Sequence, residues 1–147
     1  MDLELKGKTA IITGGSRGIG KAVGREFGLE GMKVALVARG QEALEETAIE
    51  LSNETGGEFI TIVADTGKPE SVQAMVKGAA EKLGKIDILI NSAARVSGAY
   101  SPKLLEITED DFWSDMNTKV MGYLRCAQAV APYMIEQGWG RIINLSG

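Results

Sequence analysis

Thr13-Gly-Gly-Ser-Arg-Gly-Ile-Gly20 directly follows a short apolar run, Thr9-Ala-Ile-Ile-Thr13, at the point where a helix should begin. Glycine there allows positive φ and close backbone approach. The free amides and dipole of a helix start attract an anion. The segment is built like a pyrophosphate cradle on a strand-to-helix turn. A tight turn of this kind needs glycine whether or not anything binds, so the surrounding sequence has to decide.

Outward from the turn, apolar runs rich in β-branched residues recur at Val34–Ala38, Phe59–Val63, Ile86–Ile90 and Arg141–Leu145. Each reads as a buried strand, giving five in all. Between them lie helical stretches. Gln41–Glu54 carries Leu44, Ala48 and Leu51 along one face, and Pro69–Leu83 opens on a proline at a first-turn position. Strands joined by helical crossovers are parallel, so the fold class is α/β with helices on both faces of one sheet. Ser92–Ile107 is the longest stretch without clear periodicity. After it, Thr108-Glu-Asp-Asp111 reads as a capping box opening a helix from about Asp110 to Gln137. On that helix Phe112, Met116, Val120, Leu124, Ala127, Ala131 and Met134 form a stripe expected to pack on the sheet. No repeat or linker divides the chain, so residues 1–147 are expected to form a single domain.

Composition removes several classes of function. The 147 residues include 44% hydrophobic residues, enough for a core, and carry a net charge of -4 with a pI near 5.0. That balance, without a basic run, argues against a nucleic-acid partner. No histidine and one cysteine, Cys126, leave nothing from which to build a nitrogen-and-sulfur zinc site or a Ser-His-Asp relay. No run of eighteen apolar residues and no basic-then-apolar start occurs, so no membrane partner and a cytoplasmic setting are expected.

The spelling Thr-Gly-x-x-x-Gly-Ile-Gly at 13–20 resembles the short-chain dehydrogenase/reductase family. Asp65, Asn91-Ser-Ala-Ala94, Asn117 and Asn144-Leu-Ser146 come in that family's order, so the resemblance covers the whole chain. It implies a Rossmann-like, doubly wound parallel sheet. It also implies that Gly14, Gly18 and Gly20 shape the turn and that Ser16, Arg17 and Ile19 belong to the cofactor site. Asp65 would meet the adenine amine, and Asn91 with Ala93 would lie along the adenosine ribose. The family usually writes Asn-Asn-Ala-Gly where this chain has Asn-Ser-Ala-Ala.

A site for NAD(H) commonly places a carboxylate at the end of the second strand, about 20 residues past the glycines. Here that place reads Ala38-Arg39-Gly40. Arg39 and Arg17 suit a 2′-phosphate that a carboxylate would repel, which puts NADP(H) ahead of NAD(H) as cofactor.

By resemblance the chemistry is hydride transfer between NADP(H) and a small carbonyl or alcohol substrate. A serine orients the substrate oxygen, an asparagine holds a relay water on its backbone carbonyl, and a Tyr-x-x-x-Lys pair handles the proton. Asn117 and Ser146 are the candidate catalytic residues, with Gly147 competing for the serine's position. No Tyr-x-x-x-Lys occurs: Tyr100 is followed by Lys103 across a proline, Tyr123 lies four before Ala127, and Tyr133 lies four before Gln137. The expectation is a cofactor-binding portion cut after its fifth strand, inactive alone, from a parent that forms a dimer or tetramer. The alternative is a non-catalytic NADP(H)-binding module.

Overall fold

The computed structural model describes residues 1–94 and 103–146. The strands are β1 (Thr9–Thr13), β2 (Lys33–Ala38), β3 (Glu58–Val63), β4 (Ile88–Asn91) and β5 (Arg141–Asn144). They pair in parallel in the order β3-β2-β1-β4-β5. The α/β fold with five parallel strands holds as read from the apolar runs. In β1 all five residues are buried, because helices cover both of its faces.

Helices α1 (Gly18–Leu29) and α2 (Gln41–Thr55) lie on one face of the sheet. There Ile12, Leu36, Leu44 and Leu51 form a core with Ile88 and Ile90. Helix α1 sits close to the sheet because its buried positions, Gly20, Gly24 and Gly28, are all glycine. A Cβ on Gly24 would stand 3.3 Å from both Leu36 and Leu51. On the other face α3 (Pro69–Leu83) and α5 (Gly122–Gln137) enclose Ile11, Val37, Val72, Leu89, Cys126 and Val130. The chain changes sides after β3, so the connections from β1 and β4 part at the carboxyl ends of these strands. In sheets wound this way, ligands bind at that parting.

At the opposite end, buried Asp87 clasps the start of β1. Its carboxylate accepts from Thr9 N at 2.9 Å and pairs with Lys85 Nζ at 3.0 Å, while Thr9 Oγ1 donates to Lys85 O at 2.7 Å.

The single helix expected over 110–137 is interrupted. α4 (Glu109–Met116) starts at the capping box of Thr108 and Asp111, a π turn occupies Asn117–Met121, and only then does α5 begin. The expected stripe does not lie on the sheet as a whole: Phe112, Val120 and Leu124 are about half exposed, and α4 buries no residue. The buried set is Gly122, Cys126, Ala129, Val130 and Met134. A π turn inserts an extra residue into the helical count and rotates the next helix by about 100°, so a stripe traced at constant period across it changes face.

Candidate functional site

Beyond the carboxyl ends of β1 and β2 opens a cleft of ≈ 400 Å³. Its floor is the glycine turn. Gly14 takes φ 69°, and a Cβ there would fall 2.8 Å from Ser92 O. Gly18 takes φ 54° with nothing within 4 Å of a Cβ, so the space above it is open. Gly20 closes the turn on itself, since a Cβ there would overlap Gly14 O. Two threonines hold the turn in place. Thr13 Oγ1 accepts from the amides of Ser92 and Ala93 at 3.1 and 3.2 Å, and Thr47 Oγ1 donates to Ser16 O at 3.0 Å.

Helix α1 presents its first amides toward this cleft without a side-chain cap and without an acidic residue in its first turn. α2, α3 and α4 each carry acids there. The positive end of α1 is therefore uncompensated, which favours an anion.

Gly14, Ser16, Arg17, Arg39, Asp65 and Ala93 all line the cleft. The guanidinium groups of Arg17 and Arg39 have no hydrogen bond or ion pair with any other described residue. Asp65 is held by its own loop: its Oδ1 accepts from Gly67 N at 2.9 Å, and its amide donates to Ser71 Oγ at 2.9 Å. Gly18, Ile19 and Gly20 form the adjoining first turn of α1, where Ile19 is exposed and Gly20 buried.

The structure puts Asn91 elsewhere. Two residues beyond Leu89, it shares that residue's face of the sheet and is fully buried. Its Nδ2 donates to Asn144 Oδ1 at 2.9 Å and to Tyr123 O at 3.3 Å. Its side chain thus ties β4 to β5 and α5 and does not line the cleft. Asn117, at the head of the π turn, is also tied inward, by Nδ2 to Gly67 O at 3.1 Å and by Oδ1 to Arg125 Nη2 at 2.7 Å. Ser146 lies in a second groove, of ≈ 570 Å³, between the π turn and the end of β5, together with Lys119, Tyr123 and Asn144. Tyr123 donates its hydroxyl to Leu145 O at 3.1 Å, and burial raises its pKa, so it stays protonated near neutrality. Gly147, Tyr100 and the rest of 95–102, the middle of the aperiodic stretch, lie outside the described residues.

Three threonines were given no role of their own by the sequence reading. Thr13 reads as the last residue of a strand and Thr47 as a helix position. Thr118 lines the cleft only because the π turn carries it there. Its one signal in the sequence is its place next to Asn117.

The family model described as short chain dehydrogenase matches residues 8–147. The chain is 34% identical over 140 residues to the 3-oxoacyl-acyl-carrier-protein reductase FabG of Staphylococcus epidermidis, covering 95% of this chain and 56% of that protein. It is also 34% identical over 142 residues to the very-long-chain 3-oxoacyl-CoA reductase of Anas platyrhynchos, covering 95% of this chain and 45% of that one. Among solved structures it is similar to the L-sorbose reductase of Gluconobacter frateurii complexed with NADPH and L-sorbose. The TM-score is 0.88 at 33% identity, over 98% of this chain and 54% of that one. An NAD+-bound xylitol dehydrogenase matches with a TM-score of 0.87 at 33% identity, over 96% and 53% of the two chains. The chain spans about half the length of the relatives it matches.

Proposed function

The chain belongs to the short chain dehydrogenase family, and from that premise we propose that the protein carrying it transfers hydride between NADP(H) and a carbonyl or alcohol substrate. The observation behind the choice of cofactor is the pair of guanidinium groups, Arg17 and Arg39, without partners among the described residues, in the cleft at the end of β2. Two free cations suit a 2′-phosphate; an NAD(H) site would favour a carboxylate where Arg39 stands. The residues fit a dinucleotide in other respects. The open space over Gly18 and the uncapped amides of α1 suit its pyrophosphate, and the Asp65 carboxylate is available to its adenine amine.

When bound, the nicotinamide would supply the hydride chemistry. In this proposal Ser146 orients the substrate oxygen. Proton donation is not assigned to this chain, because no Tyr-x-x-x-Lys pair occurs in it and Tyr123 is hydrogen-bonded to the backbone. A cytoplasmic setting and assembly as a dimer or tetramer belong to the same reading. No helix among the described residues is long and apolar enough to cross a membrane. A second reading is a non-catalytic NADP(H)-binding module, which would bind the cofactor without turnover.

Calorimetric titration of the chain with NADPH and NADH, followed by a turnover assay on ketones and aldehydes, tests both. NADPH binding in preference to NADH without turnover is the expected result. A folded chain that binds neither would overturn the cofactor assignment, and turnover by the chain alone would overturn the statement about proton donation.

A further inference from the structure

The π turn at Asn117–Met121 sends successive residues to different places. Asn117 is fully engaged inside the fold. Besides its side-chain bonds to Gly67 and Arg125, its carbonyl oxygen accepts from both the Gly122 amide and Arg125 Nη1, the latter at 3.2 Å. A carbonyl oxygen has two lone pairs, so both are taken and none is left for a relay water. Thr118 opens onto the cofactor cleft, and Lys119 opens onto the groove that holds Ser146.

That groove is walled by Met116, Val120, Leu124 and Leu145. Its Tyr123 hydroxyl and Asn144 Oδ1 are already bonded within the protein. Among the described residues that line it, Lys119 alone is charged, and neither Lys119 nor Ser146 has a side-chain partner among the described residues. An ammonium on a flexible stem offers three donors and a positive charge.

We propose that Lys119, and not Asn117, is the residue through which this helix acts on the reacting end of the site. It is a positioning residue: its ammonium fixes the Ser146 hydroxyl, directly or through one water, in the groove where the substrate oxygen would lie. The proposal rests on the reading of Ser146 given above and deepens it.

The test uses the whole protein carrying this chain, assayed for NADPH-linked carbonyl reduction, with NADPH affinity measured separately by fluorescence titration. Lys119→Met is expected to lower kcat about 30-fold while NADPH affinity stays within about twofold, and Lys119→Arg to recover most of the loss. Because the two groups act as one unit, Lys119→Met combined with Ser146→Ala should cost no more than the worse single variant. Unchanged kcat in Lys119→Met, losses that multiply in the double variant, or a fall in NADPH affinity that accounts for the loss would each overturn the Lys119 role alone. A wild-type protein that reduces no carbonyl with NADPH, or a Ser146→Ala variant with full kcat, would overturn the underlying reading and the Lys119 role together.

Discussion

Arg39 lines the cleft with no ion-pair partner among the described residues, so its charge is available to a ligand. Arg39→Asp should weaken NADPH binding by about 1.5–3 kcal/mol, roughly 10- to 150-fold, and leave NADH affinity nearly unchanged; parallel calorimetric titrations check this. The glycines of the turn separate in the same way by what surrounds them. Gly20→Ala forces a Cβ into Gly14 O and should cost about 3 kcal/mol in urea unfolding. Gly18→Ala meets open space and incurs only the cost of its positive φ, about 1–2 kcal/mol. Most of the cleft was legible at this scale, because glycine spacing and an arginine in place of a carboxylate are chemical facts of the sequence. The two asparagines were not. An asparagine reads the same whether it faces a ligand or a backbone carbonyl, and only the pairing of β4 and the π turn reveal that Asn91 and Asn117 bond within the protein.

Helix α4 owes its start to local chemistry. Thr108 Oγ1 accepts from Asp111 N at 3.1 Å, and Asp111 Oδ2 accepts from Thr108 N at 3.1 Å. With no buried residue to hold it, α4 depends on that cap more than a core helix would. Thr108→Ala should therefore cost about 1 kcal/mol, seen as faster hydrogen exchange of the amides of 109–116 with little change elsewhere. The capping box was visible in the sequence, as were, to within a residue, the bounds of α2 and α3, read from an apolar face and a first-turn proline; each ends at a left-handed glycine, Gly56 or Gly84. The π turn was hidden. Hydrophobic period assumes a constant number of residues per turn. Across the changed count Arg125 reaches back to Asn117 and Thr66 and ties the turn to the fold.

For the molecule as a whole, the parallel α/β class was legible because uniformly apolar runs leave a strand few places other than between helices, whereas the order β3-β2-β1-β4-β5 came from the pairing alone. The two edges are less sharply written: in β5 Ile142 and Ile143 are partly exposed. Cys126, on the buried face of α5, reports on global opening. Burial pushes its thiol from 9.0 up to about 12. The folded state thus holds the proton more tightly than the unfolded one, so this contribution is complete below about pH 9 and is lost as pH rises toward about 12. Over that range the wild type should lose roughly 1 kcal/mol per pH unit more than Cys126→Ala in urea titrations. The Asp87 clasp on Thr9 has a consequence for biosynthesis. It joins residues 78 apart, so a ribosome adding about 5–20 residues per second leaves β1 without its second neighbour for roughly 4–16 s after it is made. During that interval the nascent chain carries an open strand edge at what later becomes the centre of the sheet, and chaperones that cover such edges would find their substrate there.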